Sequence, residues 1–281
     1  MTLNTVEDGA RALLLEAVNL VAETQLSFAV IGGWSPVLLN SSPIVHPGTR
    51  DVDLLFKRGT EPGALADVIR LFRSRQYFLS AKHPFQLLRV LEIAGTPLAF
   101  NVDLLHPVEG FQKAADLFSD HLEIDVRVTE RFGHLVKAQS VATPLSAFIF
   151  DGHVDSVQVV GTLPNGQSGS AKVPIMDELG LVVTKSESVK SIKRTRDALD
   201  IFFATVQARD FDQLAKSARR LRDEFPDGHL ALADLAARFA DPKGKLHGSL
   251  VQSSFEHGLE EAVSAQLDLF RSRFQLLGAL P

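Results

Sequence analysis

Asp51 and Asp53 stand two apart in the run Thr49-Arg50-Asp51-Val52-Asp53-Leu54-Leu55-Phe56, and upstream the apolar run Leu26 to Ile31 ends in Gly32-Gly33. That spacing constrains the fold more than any other feature of the chain. Side chains on a strand alternate between faces, so a strand here puts both carboxylates on one face, roughly 7 Å apart at Cα. Two hard oxygen donors on one face suit Mg²⁺ or Mn²⁺, and Mg²⁺ is usually held by one or two carboxylates plus substrate phosphates. The glycines mark a strand end. Lacking Cβ atoms, Gly32 and Gly33 reach φ > 0 and let backbone N–H groups approach a ligand closely, and a helix beginning at Trp34 offers an anion-favouring N-terminus. A triphosphate fits such a place, with Ser35 and Arg50 counted among its contacts.

A two-metal site generally needs a third carboxylate bridging ions about 3.5–4 Å apart. Asp103 supplies it: it is the only acid in the apolar run Leu98 to Leu105, which follows Leu87 to Ala94 across Gly95-Thr96-Pro97 and reads as the second strand of a hairpin. Asp51, Asp53 and Asp103 are therefore the expected catalytic and metal-binding residues. Downstream, Lys185, Val189, Lys193, Arg196 and Asp200 fall at helical spacing, with Lys190, Arg194 and Asp197 on an adjacent stripe. One continuous helix would turn Val189, Ile192, Leu199 and Phe202 inward and hold Lys185, Lys190, Lys193 and Arg196 over the catalytic strands to neutralise phosphate charge.

With these residues in place, the chain resembles the nucleotidyltransferase superfamily typified by DNA polymerase β: a hydrophobic strand, two small residues, a helix, Asp-x-Asp and a later strand aspartate. The matching positions are Gly32, Gly33, Asp51, Asp53 and Asp103. Within it, Val173-Pro174, Leu179, Lys185, Arg196-Asp197 and Asp200 are similar to the second signature of AbiEii-type abortive-infection toxins. Trp34 stands where those relatives carry a small residue, and Ile192 where they carry an arginine. The likeness covers the N-terminal two-thirds of the chain. It implies NMP transfer from an NTP, Lys185 as the preferred phosphate contact, an RNA acceptor such as a tRNA 3′ end, and a cognate antitoxin as partner.

Other chemistries lack their residues. The nine histidines show no His-x-His, His-x-x-x-His or His-Glu-x-x-His spacing. Neither Ser35 nor Ser146 lies in a Gly-x-Ser-x-Gly elbow, and isolated His46, His83, His106 and His134 read as hydrogen-bonded surface or core residues. No P-loop sequence occurs. Zero cysteines exclude a disulfide scaffold, and a net charge of −5 argues against general nucleic-acid coating, so RNA contact should be a local basic patch. No stretch approaches the roughly 20 apolar residues of a membrane span and the start lacks a basic leader, which points to a cytoplasmic protein without a membrane partner.

Periodicity places helices over Val6 to Thr24, Ala64 to Arg75, Phe211 to Phe225 and Ser253 to Leu277. Antiparallel strands are expected over Leu122 to Val128 and from Val157 to Val173, the latter folded at Pro164-Asn165-Gly166. The expected fold class is α+β: a mixed sheet with helices forming a catalytic domain over residues 1–176, then an all-helical domain over 177–281. Two alternatives share that core, a small-molecule nucleotidyltransferase of the antibiotic-modifying kind and a catalytically silent protein that acts by binding.

Overall fold

The computed structural model describes residues 3–40, 44–108, 110, 120–123, 135–191 and 193–278. Helix α1 (Val6–Glu23) begins at a capping box: Thr5 Oγ1 accepts from the Asp8 N–H at 3.0 Å and Asp8 Oδ2 accepts from the Thr5 N–H at 3.0 Å. Its face of Ala10, Leu13, Leu14, Ala17, Leu20 and Val21 is buried, as the 3.6-residue period requires. The chain then enters β1 (Phe28–Ile31), buried at every position, turns through Gly32 into the short α2 (Trp34–Leu39), and continues as β2 (Val52–Phe56) and α3 (Pro62–Ser74).

Strand β3 (Phe78–Leu79) precedes the hairpin of β4 (Gln86–Ile93) and β5 (Thr96–Pro107). Its two-residue turn puts Ala94 at φ 48° and Gly95 at φ 82°, a pair of positive angles that matches the twist of the flanking strands. Next come β6 (Asp120–Glu123) and β7 (Leu135–Ala138), which among the described residues pair with each other alone, then β8 (Val141–Thr143) and a 3₁₀ turn at Ala147–Phe150. The strand expected over Leu122 to Val128 is present to Glu123; its remainder lies outside the described residues, as do His134 and Ile192. A second hairpin, β9 (Val154–Thr162) and β10 (Ser168–Met176), turns at Gly166.

The main sheet runs β3-β4-β5-β2-β1-β10-β9, with β8 added beside β5. It is mixed: β1 with β10, β2 with β5 and β5 with β8 are parallel, the other pairs antiparallel. Alternation sorts its side chains into two cores. Val30, Val52, Leu54, Val102 and Leu104 pack with α1 and α3, while Ala29, Ile31, Leu55 and Leu105 pack with the helices that follow β10. The fold is α+β. Beyond Met176 the described chain is helical: α4 (Glu178–Ser188), α5 (Thr195–Val206), α6 (Phe211–Glu224), α7 (Pro226–Ala240), α8 (Lys245–Glu256), α9 (Glu260–Ser264) and α10 (Leu267–Leu277).

Two expected helices are broken. The one over Ser253 to Leu277 becomes the end of α8, α9 and α10, because Gly258 takes φ 66° and the Leu259 N–H turns back to Ser254 O at 2.8 Å, closing the C-terminus of α8. The basic one from Lys185 to Asp200 becomes α4 and α5 around a turn at Val189 to Arg194, where the N–H groups of Lys190, Ser191 and Arg194 each bond three residues back. The residues expected inward there, Val189, Leu199 and Phe202, are buried.

Gly9 on α1 faces the tip of Phe100, where an added Cβ would fall 2.5 Å from Cζ. Gly→Ala within a helix normally gains up to about 1 kcal/mol, whereas overpacking a core costs roughly 1–3 kcal/mol. Gly9→Ala should therefore lower the midpoint of thermal unfolding followed by circular dichroism, and a rise would show that α1 does not press on β5 at this point.

Candidate active site

Asp53 on β2 and Asp103 on β5 are direct register partners in a parallel pair. Neighbouring strands lie about 4.8 Å apart, so the two carboxylates leave the sheet side by side. The row continues with Ile31 on β1 and Gln86 on β4. Alternation with Leu55 and Leu105 puts both acids on the face that the C-terminal helices cover, and Asp51, just before β2, lies within charge range of both. Gly32 closes one side: it takes φ 73°, and a Cβ there would stand 2.3 Å from Asp53 Oδ2. Gly33, expected in the left-handed region as well, instead takes φ −63° at the start of α2 and is packed on Thr49. Of the two glycines, Gly32 alone takes the left-handed region.

Asp53 and Asp103 are half-buried and Asp51 is exposed, and the three repel one another. Burial, then Asp103 and Asp51, push the Asp53 carboxyl up to about 7 against the pull of Lys185 and Arg194. Burial and Asp103 raise Asp51 despite Arg196, Arg50 and Arg194. Burial also raises Asp103, opposed by hydrogen bonds from Gln86 Nε2 at 3.0 Å and Asn101 Nδ2 at 2.9 Å, both to Oδ1, and by the charges of His83 and Arg194. Among the described residues, no group of three His, Asp or Glu side chains is gathered closely enough to hold a metal ion as it stands. Asp103 is engaged by the two amides.

The basic residues divide. Arg194 is exposed in the turn before α5 and lies within charge range of all three carboxylates. Arg196 acts on Asp51 from the first turn of α5, and Arg50 acts on Asp51 while its guanidinium stands 5.8 Å from the Phe100 ring centre. Lys190 is tied to Glu187 at 2.6 Å and Asp234 at 3.1 Å, and Lys193 is exposed. Lys185, expected on the triphosphate, is instead half-buried, its ammonium held 2.5 Å from both Asp197 Oδ1 and Asp200 Oδ2. An ammonium withdrawn from water needs paired counter-charge, and the broken helix supplies it by folding α5 back against α4. Burial opposes the charged forms, but this pairing prevails: Lys185 is raised above the ordinary lysine range and Asp200 falls below that of a carboxylate. His46 Nε2 stands 2.8 Å from Asp200 Oδ1 and completes the network.

Trp34 is 3% exposed and belongs to the core that includes α1. Ser35, expected as a phosphate hydroxyl, is buried too, and among the described residues its Oγ has no hydrogen-bond partner. Gln86, Asn101 and Arg194 enter the site without having been singled out as site residues. Register across the hairpin is what would have found Gln86, and the turn between α4 and α5 is what delivers Arg194.

No family model and no curated protein matches the chain. A solved structure similar to it, an antigenic nucleotidyltransferase-like protein from Paracoccidioides brasiliensis, aligns over 95% of each chain at 14% identity with a TM-score of 0.34.

Two outcomes follow from the charges. The folded Asp53 carboxyl is raised from 3.8 to about 7, so the fold favours its protonated form and loses stability as pH rises between those values. Asp53→Asn should raise the melting temperature at about pH 8 and converge on wild type toward about pH 4; an equal offset at both would place the origin elsewhere. Lys185→Met leaves Asp197 and Asp200 buried without their counter-ion, at a cost of about 3–5 kcal/mol. Urea unfolding measures it, and a change below about 1 kcal/mol would mean the pair is open to water.

Proposed function

We propose that the protein is a nucleotidyltransferase that moves NMP from an NTP to an acceptor hydroxyl. The observation that carries this reading is the register pairing of Asp53 with Asp103, with Asp51 within charge range of both and Gly32 packed on Asp53. Mutually repelling carboxylates, Asp53 and Asp103 half-buried and Asp51 exposed, beside a backbone turn that admits no side chain are a costly arrangement for stability, and carboxylate oxygens are the donors that hard divalent cations take once the three draw together. Asp51, Asp53 and Asp103 would hold Mg²⁺ or Mn²⁺, which supplies charge neutralisation at the entering and leaving oxygens of an in-line displacement.

The chain's own groups have separate parts in that reaction. Gly32 lets the phosphates approach the backbone, and Arg194 and Arg196, with Arg50, provide positive charge for them from outside the sheet. The acceptor oxygen bonds to the α-phosphorus, the bond to the bridging oxygen breaks, and pyrophosphate leaves. Asp103, raised by burial and steadied by Gln86 and Asn101, takes the proton of the attacking hydroxyl. Lys185 acts at a distance by positioning α5 and by favouring the ionised form of Asp53. The AbiEii-type likeness supports RNA as the acceptor and a cognate antitoxin as partner. A protein that binds nucleotide without transfer is the second reading, favoured by the engagement of Lys185 inside the fold.

Incubation with each α-labelled NTP, Mg²⁺ or Mn²⁺, and either total RNA or a panel of aminoglycosides and other hydroxylated drugs separates these readings. Label should pass to RNA and be lost in both Asp53→Ala and Gly32→Ala, while Arg194→Ala should weaken NTP use by about tenfold, the worth of one charge-assisted contact. Label on a drug instead would reassign the acceptor. No transfer with any metal would leave the binding reading.

A further inference from the structure

The row of residues that crosses the sheet at the acids has two different ends. It runs Gln86 on β4, Asp103 on β5, Asp53 on β2 and Ile31 on β1, at about 4.8 Å per strand. The Gly32 turn follows Ile31 at one end; at the other, the turn from Ser80 to Phe85 leads into Gln86. In-line displacement puts the entering and the leaving oxygen on opposite sides of the α-phosphorus. With the triphosphate against Gly32 and the proton taken by Asp103, the acceptor hydroxyl comes in from the end where Ser80 to Phe85 stands.

That turn is tied to the strand that bears the base. The Ser80 N–H donates to Gln86 O at 2.9 Å, the Gln86 N–H to His83 O at 2.9 Å, and the His83 N–H to Ser80 Oγ at 3.1 Å. The N–H of Leu104, the residue after Asp103, donates to Phe85 O at 2.8 Å, and Gln86 Nε2 donates to Asp103 Oδ1. Turn and carboxylate therefore form one unit, and a group docked on the turn is fixed relative to Asp103.

The side chains of the turn have a definite chemistry. Between Ser80 and Gln86 stand Ala81, Lys82, His83, Pro84 and Phe85, with no acid. Lys82 is exposed, and among the described residues neither its ammonium nor the His83 ring has a hydrogen bond or an ion pair. His83 is half-buried and within charge range of Asp103, and its ring centre is 5.7 Å from that of Phe85, which belongs to neither core. One ring backed by another is a surface on which any nucleobase can stack, and a free ammonium one residue away suits a phosphate. A polycationic drug would meet like charge there, from Lys82 beside the ring and from Arg194 across the acids.

We propose that the turn from Ser80 to Phe85 seats the last nucleotide of a nucleic-acid acceptor, with its base on His83, its phosphate on Lys82 and its 3′-hydroxyl at Asp103. The inference rests on the nucleotidyl-transfer reading for the role of that hydroxyl, whereas the docking is tested without it.

Single-stranded RNA and DNA homopolymers carrying fluorescein at the 5′ end are titrated into the full-length protein without NTP or added metal and followed by anisotropy. Stacking tolerates any base, so saturable binding is expected with more than one homopolymer. His83→Ala should weaken it by about tenfold, within the range of one lost stack, and His83→Phe should restore it. Lys82→Glu, at an exposed position, should weaken it by a similar factor and flatten its salt dependence. A 3′-phosphate in place of the 3′-hydroxyl should weaken it as well, because it brings further negative charge to Asp103. No saturable binding, unchanged affinity in folded His83→Ala or in Lys82→Glu, indifference to the 3′ end, or an aminoglycoside that binds wild type and is lost in His83→Ala overturns the proposal. Strand binding through this turn with no NMP transfer keeps the seat and dismisses the enzyme; transfer to RNA undiminished in both variants keeps the enzyme and dismisses the seat.

Discussion

The ammonium of Lys185, held between Asp197 and Asp200, is the interaction on which the arrangement of the site depends. Removing such a charge from water costs several kcal/mol unless close counter-charges replace the solvent. Asp197 and Asp200 are one turn apart on α5, so both reach Lys185 only if α5 lies against α4, and the chain between them must reverse. That reversal carries Arg194 to the carboxylates. Through Asp200 the same network holds His46, which anchors the segment leading to Thr49, Arg50 and Asp51. One paired cation therefore joins both helices to the strand that bears the acids.

The sheet contributes the opposite kind of charge problem. Asp53 and Asp103 are neighbours by register, Asp51 is close by, and burial raises all three. Nothing in the packing requires acids there; Leu55 and Leu105, next on the same face, show that apolar residues fit. Groups that destabilise the empty fold and would be relieved by cations are characteristic of sites selected for binding rather than for stability. Lys185 and Asp200 form the closely paired network, and the three acids form the strained one, their repulsion only partly offset by the nearby bases and amides, with the Gly32 turn beside them.

Much of this could be read along the chain. The period of α1, a hairpin turn at Gly95 and the two-residue spacing of Asp51 and Asp53 are local signals, although the turn falls at Ala94-Gly95 and Thr96-Pro97, expected within it, already belong to β5. The basic segment misled because charge spacing alone cannot tell an exposed stripe from a buried pair: Lys185, Asp197 and Asp200 are compatible with one long helix until the cost of desolvating the lysine is included. Gln86 and Asn101 were invisible for a different reason, since their bonds to Asp103 depend on register and strand direction. Trp34 stands where a small residue was expected after the glycines, yet its side chain is buried in the core with α1.

By itself, the amino-acid sequence determined the strands and helices that short-range preference controls, the two-residue spacing of Asp51 and Asp53, and the presence of an isolated acid at Asp103, because alternation and turn chemistry act over a few residues. Tertiary structure alone decided that Asp103 lies beside Asp53, that Gly32 rather than Gly33 takes the left-handed turn against it, and that Lys185 is paired inside the fold while Arg194 faces the acids. These are outcomes of parallel strand register and of where a buried charge finds its partners, and both are settled between segments far apart in the chain.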